Sequence, residues 1–255
     1  MNLDYFIYKE NNDFSFNAKE GDFITFLGEA NDTIINNIIF INSNDYITLD
    51  YLKINKKNKE KLISNLGYAS VYLLNTFTSE TVKDEIAYVL ESKAINKKEM
   101  LNRINEISKE LGLEKYLEMH PLLLDESTKA KLSLARIMVS NPKILIIDNI
   151  LSFLDRDDFY IVNRFLKEYI SKGNIVLNFT NEIEESLLGN KLIINNKEKI
   201  LISGGTLSVL NEEKIMKRLG FNLPFIVQLS KYFKDYNLID NYILDYRKLV
   251  DTLWK

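Results

Sequence analysis

Residues Leu122 to Asp155 read LLLDESTKAKLSLARIMVSNPKILIIDNILSFLD, and the order of residue types in this stretch decides the class of fold. Leu132, Ala135 and Val139 recur at helical spacing, which predicts a helix with one apolar face. Ser127 has the hydroxyl to cap its first turn, and the helix must end before Pro142, whose ring disfavours helical geometry in the residue before it. Ile144 to Ile147 follow as an unbroken apolar run closed by Asp148, the pattern of a strand covered on both faces. Phe159, Val162, Phe165, Leu166 and Tyr169 then mark another helix, ended by Gly173, and Ile175 to Phe179 a second buried strand. Strand, helix, strand in this order is a parallel unit of an α/β core.

Upstream, Leu3 to Tyr8, Phe14 to Phe16 and Phe23 to Leu27 alternate or cluster apolar and aromatic residues between Asn- and Asp-rich turns, which predicts three short strands. Ile34 to Phe40 fits a helix or a strand by periodicity. Between Asn96 and Leu117, Leu101, Ile104, Ile107 and Leu111 share one helical face that closes on Gly112, an amphipathic helix or a pair of them. Downstream, Leu192 to Ile194 and Lys199 to Ile202 flank Asn195-Asn196-Lys197-Glu198 as a hairpin. The chain carries no internal repeat, low-complexity tract or flexible linker.

Composition excludes several functions. With 255 residues and 46% hydrophobic content the chain can bury a full core. A formal charge of -3 argues against a nucleic-acid partner. With no cysteine there is neither a disulfide framework nor a thiolate metal site, and no clustered carboxylates suggest a nuclease or kinase. The opening Met1-Asn2-Leu3-Asp4 lacks the basic and apolar parts of a signal peptide, and the longest apolar runs, such as Ile38 to Ile41, fall well short of the roughly 20 residues of a membrane helix. A cytoplasmic protein, peripheral on the membrane if associated with one, is the expectation. Only 9 glycines and 3 prolines are present, few for a chain with glycine-rich phosphate loops. His120, the only histidine, precedes Pro121 and is read as a helix-end or surface residue.

The quoted stretch resembles the core of ABC-type ATPases. Leu124, Leu134-Ala135-Arg136, Pro142, Ile144 to Ile147, Asp148, Ser152, Leu154 and Asp155 match that family's signature helix, buried strand and D-loop without a gap. The resemblance makes Ile34 to Phe40 a helix. It implies a P-loop NTPase-like α/β fold with N-terminal antiparallel strands, an inserted helical subdomain and a C-terminal helical extension. The corresponding boundaries are residues 1–71 and 129–205 for the core, 72–128 for the signature subdomain and 206–255 for a dimerisation extension.

Against that family's pattern the chemistry is altered. A P-loop cradles phosphates with backbone N–H groups, a lysine and a magnesium-binding hydroxyl. In Leu27-Gly28-Glu29-Ala30-Asn31-Asp32-Thr33-Ile34-Ile35 only Gly28 keeps its role. Ile34 stands at the lysine position and Ile35 at the hydroxyl position, and Asp32 would repel phosphate. Losing the lysine alone removes a contact worth roughly 1.5 to 3 kcal/mol. Asn149 replaces the catalytic glutamate and cannot accept a proton. Val71 replaces the Q-loop glutamine, Asn181 the switch histidine, and Asp125, Glu126 and Ser127 fill signature positions. Asp148 would be the only magnesium ligand left, or else an acceptor for its neighbouring loops. Tyr8 is either the aromatic that stacks on adenine or a core tyrosine. ATP and magnesium are thus cofactors by resemblance only, with binding expected to be weak or absent.

Two segments point to one branch, the ATPases of energy-coupling factor importers: Thr81 to Tyr88, and the tail through Gly205-Thr206, Leu219 to Pro224 and Arg247 to Val250. That resemblance implies a peripheral subunit on the inner face of the cell membrane, paired with a second ATPase, an intact one more readily than an identical copy, and seated on a membrane scaffold protein. Asp84 and Glu85 would lie near the scaffold's coupling helices, or would only complement a helix dipole. Asp125 or Glu126 would repel a partner's nucleotide or act as a phosphate mimic in its empty loop. ATP hydrolysis is expected to be lost, leaving a structural or coupling role in micronutrient uptake. The alternatives are a weakly active transporter subunit and a soluble regulatory pseudo-ATPase that acts by dimerising.

Overall fold

A computed structural model of the chain describes residues 5–40, 46–91 and 95–254. The starts of the first predicted strand, at Leu3 and Asp4, and of the chain at Met1, and the end of the apolar run, at Ile41, lie outside them. The N-terminal strands are β1 (Tyr5–Lys9), β2 (Ser15–Lys19) and β3 (Phe23–Gly28), and α1 (Asn31–Ile39) follows. β1 pairs antiparallel with β2 and with β4 (Ile47–Leu49), and β5 (Leu52–Ile54) completes a four-stranded sheet. β3 joins a second sheet instead. After the short α2 (Glu60–Ile63) come β6 (Leu66–Ser70), α3 (Val82–Glu91), α4 (Lys97–Glu110), α5 (Glu126–Met138), β7 (Ile144–Asp148), α6 (Arg156–Ser171) and β8 (Ile175–Thr180). The hairpin is β9 (Lys191–Asn195) and β10 (Ile200–Gly205). This six-stranded sheet runs β10-β9-β3-β8-β7-β6, parallel except for β10.

Side-chain alternation divides the core into three parts. Ile24 and Phe26 of β3, with Ile144 and Ile146 of β7, face the antiparallel sheet, where they meet Phe6, Tyr8, Phe16 and α1. Leu145 and Ile147 point the other way, to α3, α4, α5 and α6. Leu27, Leu192 and Ile194 pack under a C-terminal group of helices: α7 (Thr206–Leu210), α8 (Glu213–Arg218), α9 (Phe225–Asp235) and α10 (Tyr246–Leu253). All five residues of β7 are buried, as a strand covered on both faces requires.

The cap of α5 corrects one expectation. The N-cap is Asp125, whose side chain accepts from the Thr128 N–H at 2.7 Å. Ser127 lies inside the first turn, so its hydroxyl is free for a tertiary contact. The span from Asn96 to Leu117 is α4, capped by Asn96, followed by a 3₁₀ turn at Glu114–Tyr116. His120 is exposed and caps a 3₁₀ turn at Pro121–Leu123, its Nδ1 accepting from the Leu122 N–H.

Candidate functional site

The loop that joins β3 to α1 lies at the C-terminal end of the parallel sheet. Parallel strands present their loops there, and open α/β sheets bind ligands there. Gly28 ends β3 at φ +139, a backbone conformation that favours glycine. A Cβ on it would collide with the backbone carbonyl of Asn195 on β9. The Asn195 carboxamide fills the turn itself: Oδ1 accepts from the Ala30 N–H at 2.8 Å and Nδ2 donates to Asn31 Oδ1 at 3.0 Å. Asn31 Nδ2 donates in turn to the carbonyls of Phe26 and Thr180. The Ala30 backbone N–H is thus held by the protein's own side-chain amide.

The next turn of α1 sends Ile34 and Ile35 into the core, 1% and 3% exposed. Neither side chain carries a polar group, while Asp32 faces outward from the first turn.

Asp148, at the end of β7, is buried and accepts from three side chains. Tyr68 Oη and Ser70 Oγ donate to Oδ2 at 2.9 and 2.8 Å, and Asn149 Nδ2 donates to Oδ1 at 3.0 Å. The tyrosine's acidity is weakened to about 12, first by burial and then by the adjacent carboxylate. Asn149 takes φ +53, a left-handed conformation that asparagine tolerates better than most residues, and its N–H reaches the Phe179 carbonyl. Val71, partly buried, opens the 3₁₀ turn Val71–Leu73 after β6, and Asn181 is exposed just past β8.

Tyr8 belongs to the core. It has no exposed surface, its ring stacks on Phe16 at 5.3 Å, and its hydroxyl meets Glu10 and Asn37. No ring face is left for a base, which corrects the stacking alternative. Burial, chiefly, raises its pKa.

The signature stretch and the D-loop are joined. Ser127 Oγ donates to Asp158 Oδ2 at 2.7 Å and accepts from the Asp155 N–H at 3.0 Å. Lys131 reaches Asp158 Oδ1 at 2.6 Å, and Asp155 caps α6 through the Asp158 N–H. Asp125, with its acidity strengthened mainly by the Thr128 N–H, is engaged as a cap, and exposed Glu126 pairs with Lys129 at 2.9 Å. Ser152 is exposed and bonds the Asn149 carbonyl.

Asp84 and Glu85 part company, although they are adjacent in sequence. Asp84 is exposed and forms a reciprocal pair with Thr81 at the start of α3. Glu85 is 2% exposed and turned inward. It bonds Arg136 of α5 at 2.8 Å and accepts from the N–H groups of Thr78 and Ser79. Burial opposes its ionisation, but Arg136 and these donors outweigh it and hold the carboxyl below its usual range. The Glu85 carboxylate is thus engaged inside the protein rather than exposed at the helix start. Asn195, Lys131 and the Arg136 partnership escaped sequence reasoning, because each acts on a residue far away in the chain.

No helix among the described residues is long and apolar enough to cross a membrane, and none of their acidic and histidine groups cluster as a metal site. This arrangement of sheets, signature-type helix and D-loop is the nucleotide-binding-domain fold of ABC-type ATPases. The Clostridium perfringens protein described as "cbiO1 … part of the ABC transporter complex cbiONQ" superposes with a TM-score of 0.73 at 20% identity, over 91% of this chain and all of that one. An ATP-binding subunit of an ABC transporter gives 0.65 at 17% identity.

More particularly, the chain is similar over most of its length to energy-coupling factor transporter ATP-binding proteins. It is 27% identical to EcfA1 of Mycoplasma mobile over 230 residues, covering 88% of this chain and 84% of that protein. With EcfA1 of Streptococcus thermophilus it shares 24% identity over 253 residues, covering 96% and 91%. No family model matches the chain.

Proposed function

We propose that this chain is an ABC-ATPase-like subunit of an energy-coupling factor type importer, peripheral on the membrane, which holds or couples the assembly without hydrolysing ATP. Similarity to the transporter ATP-binding proteins supports the assembly. One observation carries the loss of hydrolysis: the turn at Gly28 is filled by the Asn195 and Asn31 carboxamides, while Ile34 and Ile35 are committed to the core. These residues do not fit the phosphates and magnesium of a nucleotide, which need free backbone donors, a cation and a hydroxyl. Asp148, with its oxygens engaged by Tyr68, Ser70 and Asn149, acts in this reading as a structural acceptor.

Residues 1–71 and 129–205 form the core in this proposal, 72–128 the signature subdomain and 206–255 an extension that pairs with a second ATPase subunit, an intact one in preference to a copy. Exposed Asp84, rather than Glu85, faces the scaffold.

The test is melting of the purified chain with millimolar magnesium-ATP. Binding stabilises by linkage, about 2.7 kcal/mol when ligand is at 100 times its Kd, so an unchanged melting temperature is expected. A clear rise would favour a weakly active ATPase. Co-purification with a multi-span membrane protein in mild detergent is expected; its absence, with dimerisation retained, would favour a soluble regulator.

A further inference from the structure

Residues 181–188 leave the C-terminal end of β8, with a 3₁₀ turn at Ile183–Leu188, and fold back over the parallel sheet. Glu185 points into that contact and is 5% exposed; Asn178 of β8, beneath it, is fully buried. Asn178 Nδ2 donates to Glu185 Oε2 at 2.8 Å. Each residue keeps one oxygen without a partner among the described residues, Oε1 of Glu185 and Oδ1 of Asn178. Two acceptors cannot satisfy each other, and a buried polar atom left unmatched is costly. A carboxylic acid and a primary amide are, by contrast, complementary at two points. One proton on Glu185 Oε1 would satisfy both orphaned oxygens.

We propose that Glu185 and Asn178 form a proton-dependent latch: in the seated segment Glu185 is the neutral acid, its hydroxyl donating to Asn178 Oδ1 while Oε2 accepts from Nδ2. The surroundings suit a neutral acid. β3 faces the segment with the uncharged Thr25, whose hydroxyl meets the Glu185 carbonyl; Thr180 of β8 donates toward the carboxyl and alone of the two threonines favours its charged form. The charged group acting on Glu185 is Glu182, a like charge. Lys191 of β9 is taken by Asp22 at 2.7 Å, while Glu184 and Lys167 of α6 line the open groove beside α9. Burial, then Glu182, pushes the carboxyl up to about 7 against donors from Asn178 and Thr180.

The sign follows from linkage. A carboxyl raised on folding stabilises fully below its unfolded value, about 4.5, and that contribution is lost as pH rises through about 7. The segment that begins at Asn181 is therefore held most firmly in mild acid and loosens toward neutral pH.

Amide hydrogen exchange of residues 182–188 in the full chain tests this, corrected for the intrinsic pH dependence. Between pH 5 and 7, protection should fall by roughly tenfold per pH unit and then level off, whereas Glu185→Gln, which keeps a two-point pair without a titrating proton, should remove the trend. A flat wild-type profile, or the same fall in the variant, overturns the latch. Should the variant not fold, a carbon-detected titration of the wild-type glutamates decides. One midpoint near 7 supports the latch, and all midpoints below 5.5 overturn it.

Discussion

Asn195 clasps the turn at Gly28 with one carboxamide. Its Oδ1 takes the Ala30 N–H and its Nδ2 fixes Asn31, so Asn195→Ala strands two buried groups. A loss of about 1 to 3 kcal/mol in urea unfolding is expected, and a change below a few tenths would mean the clasp is idle. Ile34→Lys is the informative counterpart. At a position 1% exposed the ammonium must desolvate or force α1 outward, so a marked fall in melting temperature without gain of ATPase activity is expected. Asn149→Glu should be equally inactive: it introduces a second carboxylate beside Asp148 and places glutamate at φ +53, where asparagine is better tolerated. Measurable phosphate release from either variant would count against the proposed loss of hydrolysis.

Among elements, α5 is the hub, and its contacts are ionic as well as apolar. Arg136 ties it to α3 through Glu85, and Lys131 with Ser127 ties it to the start of α6 through Asp158. Removing one member of a buried pair leaves the other uncompensated, so Arg136→Ala should cost about 3 to 5 kcal/mol. The pair also sets an acid limb. Because Glu85 is held below its ordinary value of 4.5, its contribution is present above that value and is lost as pH falls through the depressed one. Melting curves of Arg136→Ala should therefore be flatter on acidification than those of the wild type. Asp125→Ala removes the α5 cap, costing about 1 kcal/mol, while Asp125→Ser should retain most of it. The existence of α5, β7, α6 and β8 was legible in periodicity and in Pro142 and Gly173. The cap was not: Asp125 and Ser127 are both good capping residues, and only the tertiary contact of Ser127 with Asp158 separates their roles.

At the scale of the molecule, the C-terminal helices are continuous with the sheet. Leu27, Leu192 and Ile194 are covered by Val209, Leu210, Met216, Ile226 and Leu249. Thermal unfolding should accordingly be one cooperative transition, and a chain ending at Gly205 should be unstable or insoluble because that apolar face is bared. Two resolved transitions would show that the extension folds independently. Sequence alone determined the parallel β7–α6–β8 unit, the helices α4 and α5 and the β9–β10 hairpin, because these depend on local periodicity and turn residues; it left Ile34 to Phe40 open and did not show β4 and β5. Tertiary structure decided which distant groups meet: Asn195 at Ala30, 165 residues away, and Arg136 on Glu85, 51 residues away. Such partnerships arise when chain folding brings distant groups within hydrogen-bonding range, and no pattern of neighbours along the chain encodes which distant group will satisfy a buried donor or charge.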